Sequence, residues 1–147
     1  MSVIRRATEE NVNEVVALSE LWVSEENTYG LARSDSASFL KSLGRGYFYV
    51  AINDSFVVGY IVGSIHQSDG LAVIPKGEEY LEIDEVYVHP DHRREGMGHD
   101  LVDALLAEAE TCGICRALVY SATKQWEQVV GFYQKHGFKM WFVEMYK

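Results

Sequence analysis

Proline is scarce in this chain. Pro75 and Pro90 are the only two in 147 residues, and both lie in loop-like contexts, which excludes a proline-rich spacer or a polyproline recognition segment. Cysteine is equally scarce. Cys112 and Cys115 form a lone Cys-Gly-Ile-Cys, too few for a disulfide framework or a four-cysteine zinc site. A redox dithiol should open a helix after a first strand. This pair instead straddles the end of a helical pattern and the start of an apolar one, so two ordinary, partly buried thiols in a reducing compartment are expected. The longest apolar run, Phe56 to Ile65, is broken by glycines and is too short to span a bilayer. Met1 to Arg6 lacks the apolar region of a secretory leader. The expectation is a cytoplasmic protein with no membrane partner. Positive charge is in the minority, with 13 Lys and Arg against 22 Asp and Glu and a net charge of −9. Binding to nucleic acid calls for clustered basic residues, so it is not expected. The field of the chain favours cationic partners.

What is present reads as one globular domain over 1–147, with 48% hydrophobic residues and no linker or repeat. Ser2 to Ala7 reads as a short strand. Thr8 is a plausible N-cap ahead of a helix with Val12, Val15, Val16, Ser19 and Trp22 on one face. After a loop over 25–34, Asp35 caps a second helix that Gly44 is expected to stop. Tyr47 to Ile52 and Phe56 to His66 form a hairpin across Asn53-Asp54-Ser55. Tyr80 to Val88 is a strand, and Gly98 opens a helix carrying Leu101, Val102, Leu105 and Leu106, with Gly113 at its end. Ile114 to Tyr120 is a strand, Gln125 to His136 a helix and Phe138 to Tyr146 a last strand. Strands alternate with helices in the second half, which predicts an α/β sandwich built on a mixed sheet.

The stretch with chemical content is Val88-His89-Pro90-Asp91-His92-Arg93-Arg94-Glu95-Gly96-Met97-Gly98, between a strand and a helix. Glycines at 96 and 98 remove side chains where a ligand would approach backbone, and the helix start offers unpaired N–H groups to an anion. A dinucleotide fingerprint would need a third glycine, and a Walker loop would need Gly-Lys-Ser/Thr. Neither is present, and a tight turn that binds nothing is the plain alternative.

The whole stretch, Val-x-Pro-x-x-Arg-x-x-Gly-x-Gly before an amphipathic helix, resembles the signature of the GNAT acetyltransferases. Gly131-Phe132-Tyr133-Gln134-Lys135-His136-Gly137-Phe138 is similar to the family's Phe-Tyr-x-x-x-Gly-Phe segment. The resemblance implies a GNAT-like, mostly antiparallel mixed sheet flanked by helices, with a splayed β-bulge cleft for acyl-CoA. It implies acetyl-CoA as co-substrate and transfer of the acetyl group to an amine. Backbone groups of Val86 and Val88 would pair with pantetheine. Those of Arg93, Arg94, Glu95, Gly96, Met97, Gly98 and His99 would cradle pyrophosphate. Tyr133 would protonate the departing thiolate, and the Val86 N–H would face the developing oxyanion. Trp126 stands where the family often has an Asn. The sequence does not fix the oligomeric state; dimers are common in the family, which leaves a homodimer open.

Ile83, Val86 and Val88 can all face inward only if strand alternation breaks near Asp84-Glu85. Glu82, Asp84 and Glu85 lie on that strand, and Asp84 or Glu85 is the candidate base for the acceptor ammonium. Any one of them could equally be a solvated strand carboxylate. The histidines show no metal-ligand spacing, so no metal is expected, and His99 reads as surface-exposed. Trp22, Glu25, Glu26, Tyr29 and the loop over 67–79 are candidates for the wall of a site for a small-molecule or peptide amine, with a cationic acceptor favoured. A non-catalytic acyl-CoA sensor with the same fold is the competing reading.

Overall fold

The computed structural model describes residues 2–147. Its sheet has five strands in chain order: β1 Ser2–Arg6, β2 Phe48–Asn53, β3 Phe56–Gln67, β4 Glu79–Val88 and β5 Arg116–Val119. The first four form an antiparallel meander, and β5 runs parallel to β4. This is the mixed, mostly antiparallel sheet that the sequence predicts. The β2–β3 turn works because Asp54 and Ser55 both take positive φ, 50° and 70°, the twist a tight hairpin needs.

Helices α1 (Val12–Ser24) and α2 (Ser36–Arg45) cover one face of the sheet. Val12, Val15, Leu18 and Phe39 pack there on Phe48, Val50, Tyr60, Val62 and Tyr87. Asp35 caps α2 by accepting from the Ser38 N–H at 2.9 Å. The helix runs through Gly44 and ends at Gly46, whose φ is +84°. Gly44 therefore lies inside the helix, and the left-handed cap falls two residues later than expected.

Helices α3 (Met97–Thr111) and α4 (Trp126–Gln134) belong to the other face. There Met97, Leu101, Leu105 and Tyr133 pack with Ile61, Leu81 and Ile83. Two β3 glycines allow α3 to close on the sheet. A Cβ on Gly63 would lie 2.9 Å from both Leu105 Cδ2 and Leu81 Cδ1, and one on Gly59 would lie 3.0 Å from the Tyr87 carbonyl oxygen.

The alternation of β4 breaks where the sequence requires it. Val62 pairs with Glu85 and Gly63 with Ile83, which leaves Asp84 as an extra residue. Ile83, Val86 and Val88 then pack with one core and Tyr87 with the other. The expected last strand is absent. Residues 138–147 carry no strand, and Met140, Phe142, Val143, Met145 and Tyr146 are exposed. Cys112 and Cys115 are free and exposed rather than partly buried.

These contacts predict opposite outcomes for two glycine-to-alanine changes. Gly63→Ala should overpack the α3 interface and lower Tm by roughly 3–10 °C. Gly44→Ala meets nothing within 4 Å, and as a helix-interior change it should leave Tm unchanged or raise it. Thermal unfolding of the two variants checks both.

Candidate active site

The cleft begins where β5 stops. Tyr80–Ile83 of β4 pair with Arg116–Val119, and past Ile83 no strand follows β4 on that edge. The chain leaving β5 is instead held by the loop after α1. The Tyr29 N–H donates to the Ala122 carbonyl at 2.9 Å, and the Lys124 N–H to the Asn27 carbonyl at 2.8 Å. The two strands are thus splayed. The His89 N–H donates to the Val58 carbonyl of β3. Since successive residues of a strand present their N–H groups to opposite edges, those of Val88 and Val86 point into the open side.

Past β4, a single 3₁₀ turn at Pro90–His92 leads into the glycine loop. Arg94 and Gly96 take positive φ, 68° and 86°, and Gly96 is the N-cap of α3. Among the described residues, no backbone N–H from Arg94 to His99 donates a hydrogen bond, whereas that of Arg93 is used by Pro90. Unpaired N–H groups at the positive end of a fifteen-residue helix make an anion cradle. An open pocket of about 240 Å³ lies over them, lined by Val88, His92, Arg94, Gly98, His99 and Phe132 among others. Gly98 also has a packing reason, since a Cβ there would sit 3.2 Å from Phe132 Cε1.

The Arg93 side chain turns away from the cradle. Its guanidinium grips Glu25 at the end of α1 through two hydrogen bonds of 2.8 and 2.7 Å, and its Nε donates to the Val88 carbonyl at 3.0 Å. Tyr87 donates its hydroxyl to the same carboxylate and stacks on Trp22 with centroids 5.3 Å apart. Burial disfavours the Glu25 charge, but the hydrogen bonds from Arg93 and Tyr87 outweigh it and hold the carboxyl below its ordinary value.

The β4 carboxylates divide by environment. Glu85 accepts from Tyr60 Oη at 2.9 Å and Ser34 Oγ at 3.2 Å, and burial raises its carboxyl above the ordinary value against the pull of those bonds. Asp84 accepts from Ser64 Oγ at 3.2 Å. Glu82 is raised by burial and by the neighbouring Asp84 charge. Ser64 Oγ also lies 2.8 Å from His66 Nε2, at an open depression of about 440 Å³ that includes Tyr47 and Arg45.

On the other side of the sheet, the Tyr133 ring is buried with Val86, Ile83 and Leu101. Burial pushes its hydroxyl up and so keeps it protonated. The hydroxyl makes no hydrogen bond within the described residues, yet no fully buried polar side-chain atom there lacks a partner. Its oxygen therefore reaches open space. His99 is not the exposed residue expected. It is half-buried, stacks on Phe132 with centroids 4.4 Å apart and bonds His136. The sequence reading also missed the partners of Glu85 and Glu25. Tyr60, Ser34 and Tyr87 come from distant segments, and no local pattern marks them. Among the described residues, no group of three or more His, Cys, Asp or Glu is arranged to hold a metal ion.

The acetyltransferase (GNAT) family profile matches residues 7–138, and the chain belongs to that family. No curated protein matches it in sequence. Solved structures share the fold at low identity. A predicted acetyltransferase from Clostridium acetobutylicum with acetyl-CoA is 17% identical, covering 99% of this chain and 96% of its own, with a TM-score of 0.75. A ribosomal-protein-alanine N-acetyltransferase from Brucella melitensis is 18% identical over 100% and 99% of the two chains, with a TM-score of 0.70. An aminoglycoside acetyltransferase from an uncultured soil metagenomic sample, in complex with sisomicin, is 19% identical over 99% and 95%, with a TM-score of 0.71.

The environment of Glu85 predicts a pH signature. A carboxyl raised in the fold favours stability below the ordinary carboxylate value, and that contribution is lost as pH rises through the folded value. Glu85→Gln cannot ionise. Its Tm relative to the parent should therefore climb as pH is raised from 4 to 7. A constant difference across that range would show that Glu85 is not perturbed by burial.

Proposed function

We propose that the chain is an acetyl-CoA-dependent N-acetyltransferase, acting by direct transfer to a primary amine of a small molecule or peptide. The single observation that carries this reading is the anion cradle of free N–H groups from Arg94 to His99, set beside the open edge of β4. Phosphates suit the cradle, and an amide-bearing arm suits an edge that offers the N–H groups of Val86 and Val88. Acetyl-CoA supplies the acetyl group as an activated thioester.

The remaining chemistry belongs to this chain's residues. An ammonium acceptor gives its proton to Glu85 or Asp84, directly or through water. Burial lifts Glu85 and so narrows its gap to an amine. As the C–N bond forms and the C–S bond breaks, the Val86 N–H donates to the carbonyl oxygen, Tyr133 hands its proton to sulfur, and the surplus proton on the new amide nitrogen returns through water to the Tyr133 oxygen. The acceptor is cationic in this proposal, supported by the net charge of −9 and by Glu82, Asp84 and Glu85. Residues 1–147 act as one acetyltransferase domain. Its setting is a reducing cytoplasm, which suits two free thiols. The family likeness is compatible with a homodimer.

Two outcomes test the proposal. Release of CoA thiol from acetyl-CoA should require an amine, with cationic amines preferred and kcat/KM falling as salt is raised from 20 to roughly 300 mM. Binding of acetyl-CoA with no amine-dependent release across a broad panel would favour the sensor reading. Tyr133→Phe should lower kcat by roughly 10²–10⁴ while changing acetyl-CoA affinity only a few-fold. Normal turnover in that variant would assign the acid to another group or to water.

A further inference from the structure

We propose that His99, His136 and Asp103 form a proton relay that tightens the hold on the acyl-CoA pyrophosphate as pH falls. His99 is the ligand-facing end, and His136 and Asp103 are positioning residues. The inference rests on the acetyl-CoA reading above.

Both nitrogens of His136 are engaged. Nδ1 lies 3.0 Å from Asp103 Oδ1, and Nε2 lies 2.7 Å from His99 Nδ1. Its side chain is only 6% exposed. The chain of three is built by folding: His99 and Asp103 sit one turn apart on α3, and His136 follows α4. The face of Phe132 holds the His99 ring at an interplanar angle of 24°. His99 is among the residues that line the phosphate pocket, with Arg94 and Gly98, and its Nε2 has no hydrogen-bond partner among the described residues.

The order of protons follows from the donors and acceptors. A carboxylate only accepts, so His136 Nδ1 must carry the hydrogen toward Asp103. In the uncharged pair, His136 Nε2 then accepts from His99 Nδ1–H, and His99 Nε2 is left bare. A bare lone pair facing an anion repels it. One added proton can reside on His99 Nε2 itself. It can equally reside on His136, which then donates to His99 Nδ1 and moves the His99 hydrogen to Nε2. Either way an N–H appears at His99 Nε2, and Asp103 balances the charge at the far end. A phosphate oxygen gains a charge-assisted donor in both cases.

The charged and titratable groups around this ring are few. The phosphate loop contributes His92, Arg93 and Arg94. His92 lies 3.9 Å from Glu95, and Arg93 is paired with Glu25. Helix α3 contributes Asp100 and Asp103, and the segment after α4 contributes Lys135 and His136. Of these, His92 is the other imidazole that lines the pocket, so it needs its own control.

The experiment is calorimetric titration with dephospho-CoA between pH 5.5 and 8.5, in two buffers of different ionisation enthalpy. Dephospho-CoA keeps the pyrophosphate and lacks the 3′-phosphate, whose second ionisation near ~6 would confuse the profile. The parent chain should bind about tenfold more tightly at the acid end, with net proton uptake on binding near neutral pH. His99→Gln should lose both effects. Asp103→Asn, at a side chain 68% exposed, should move the tightening to lower pH without unfolding the chain. His92→Gln should retain it. S-acetylpantetheine, which has no phosphate, should bind with a flat profile. A flat profile for dephospho-CoA in the parent overturns the relay, as does a profile in His99→Gln or Asp103→Asn that matches the parent. Loss of the effect in His92→Gln alone also overturns it. Failure of acetyl-CoA itself to bind at any pH overturns the acetyl-CoA reading as well, and so is told apart from failure of the relay.

Discussion

Much of the site depends on one extra residue in one strand. Asp84 has no register partner on β3, so β4 presents Leu81 and Ile83 to the α3 core and then repeats a side before Val86 and Val88 return to it. A regular strand would put either Ile83 or the valines on the wrong face. The same irregularity brings Asp84 and Glu85 to the α1 and α2 side, where Ser64, Tyr60 and Ser34 receive them. Gly63 lies opposite the irregularity, and its missing side chain lets Leu105 and Leu81 close there. Bulge, glycine and helix packing are therefore one arrangement rather than three.

Beyond the bulge, the two faces of the sheet communicate through charge. Arg93 follows the strand whose open edge faces the cleft, yet its guanidinium is committed to Glu25 on the opposite helix layer. Tyr87 shares that carboxylate, and Trp22 lies flat against Tyr87. The phosphate loop is thus anchored to the end of α1, which also carries the loop that holds residues 122–124 away from β4. With Arg93 so committed, the guanidinium of Arg94 and the backbone dipoles of the loop are what the cradle offers an anion.

Much of the fold was legible because it is written in local pattern. The glycine loop, the cap at Asp35 and the broken alternation at Asp84-Glu85 can all be read from residues adjacent in sequence; Thr8 instead precedes a 3₁₀ turn over Glu9–Asn11, and Asn11 stands before α1. The candidate site was legible to the extent that backbone makes it, at Val86, Val88 and Arg94 to His99. Partners that come from far along the chain were not. Glu85 with Tyr60, Glu25 with Arg93 and Asp103 with His136 are separated by between 25 and 68 residues. Their pairing is a product of topology, and neither residue of a pair signals the other. The tail misled for the reverse reason. Its apolar residues suit a strand, yet no strand of the sheet pairs with them.

That tail has a kinetic consequence. Phe138 makes the last backbone hydrogen bond, to the Tyr133 carbonyl at 3.2 Å, and none is donated by the residues that follow. Their amides are held by no ladder, although Tyr146 rests edge-on against Tyr29 with a hydroxyl contact of 3.0 Å. In deuterated solvent these amides should exchange at rates close to those of an unstructured peptide while the β3–β4 ladder keeps its protons. The molecule therefore has two clocks, a slow one set by the sheet and a fast one confined to its last residues. Any surface that settles on the tail will announce itself by slowing the second without touching the first.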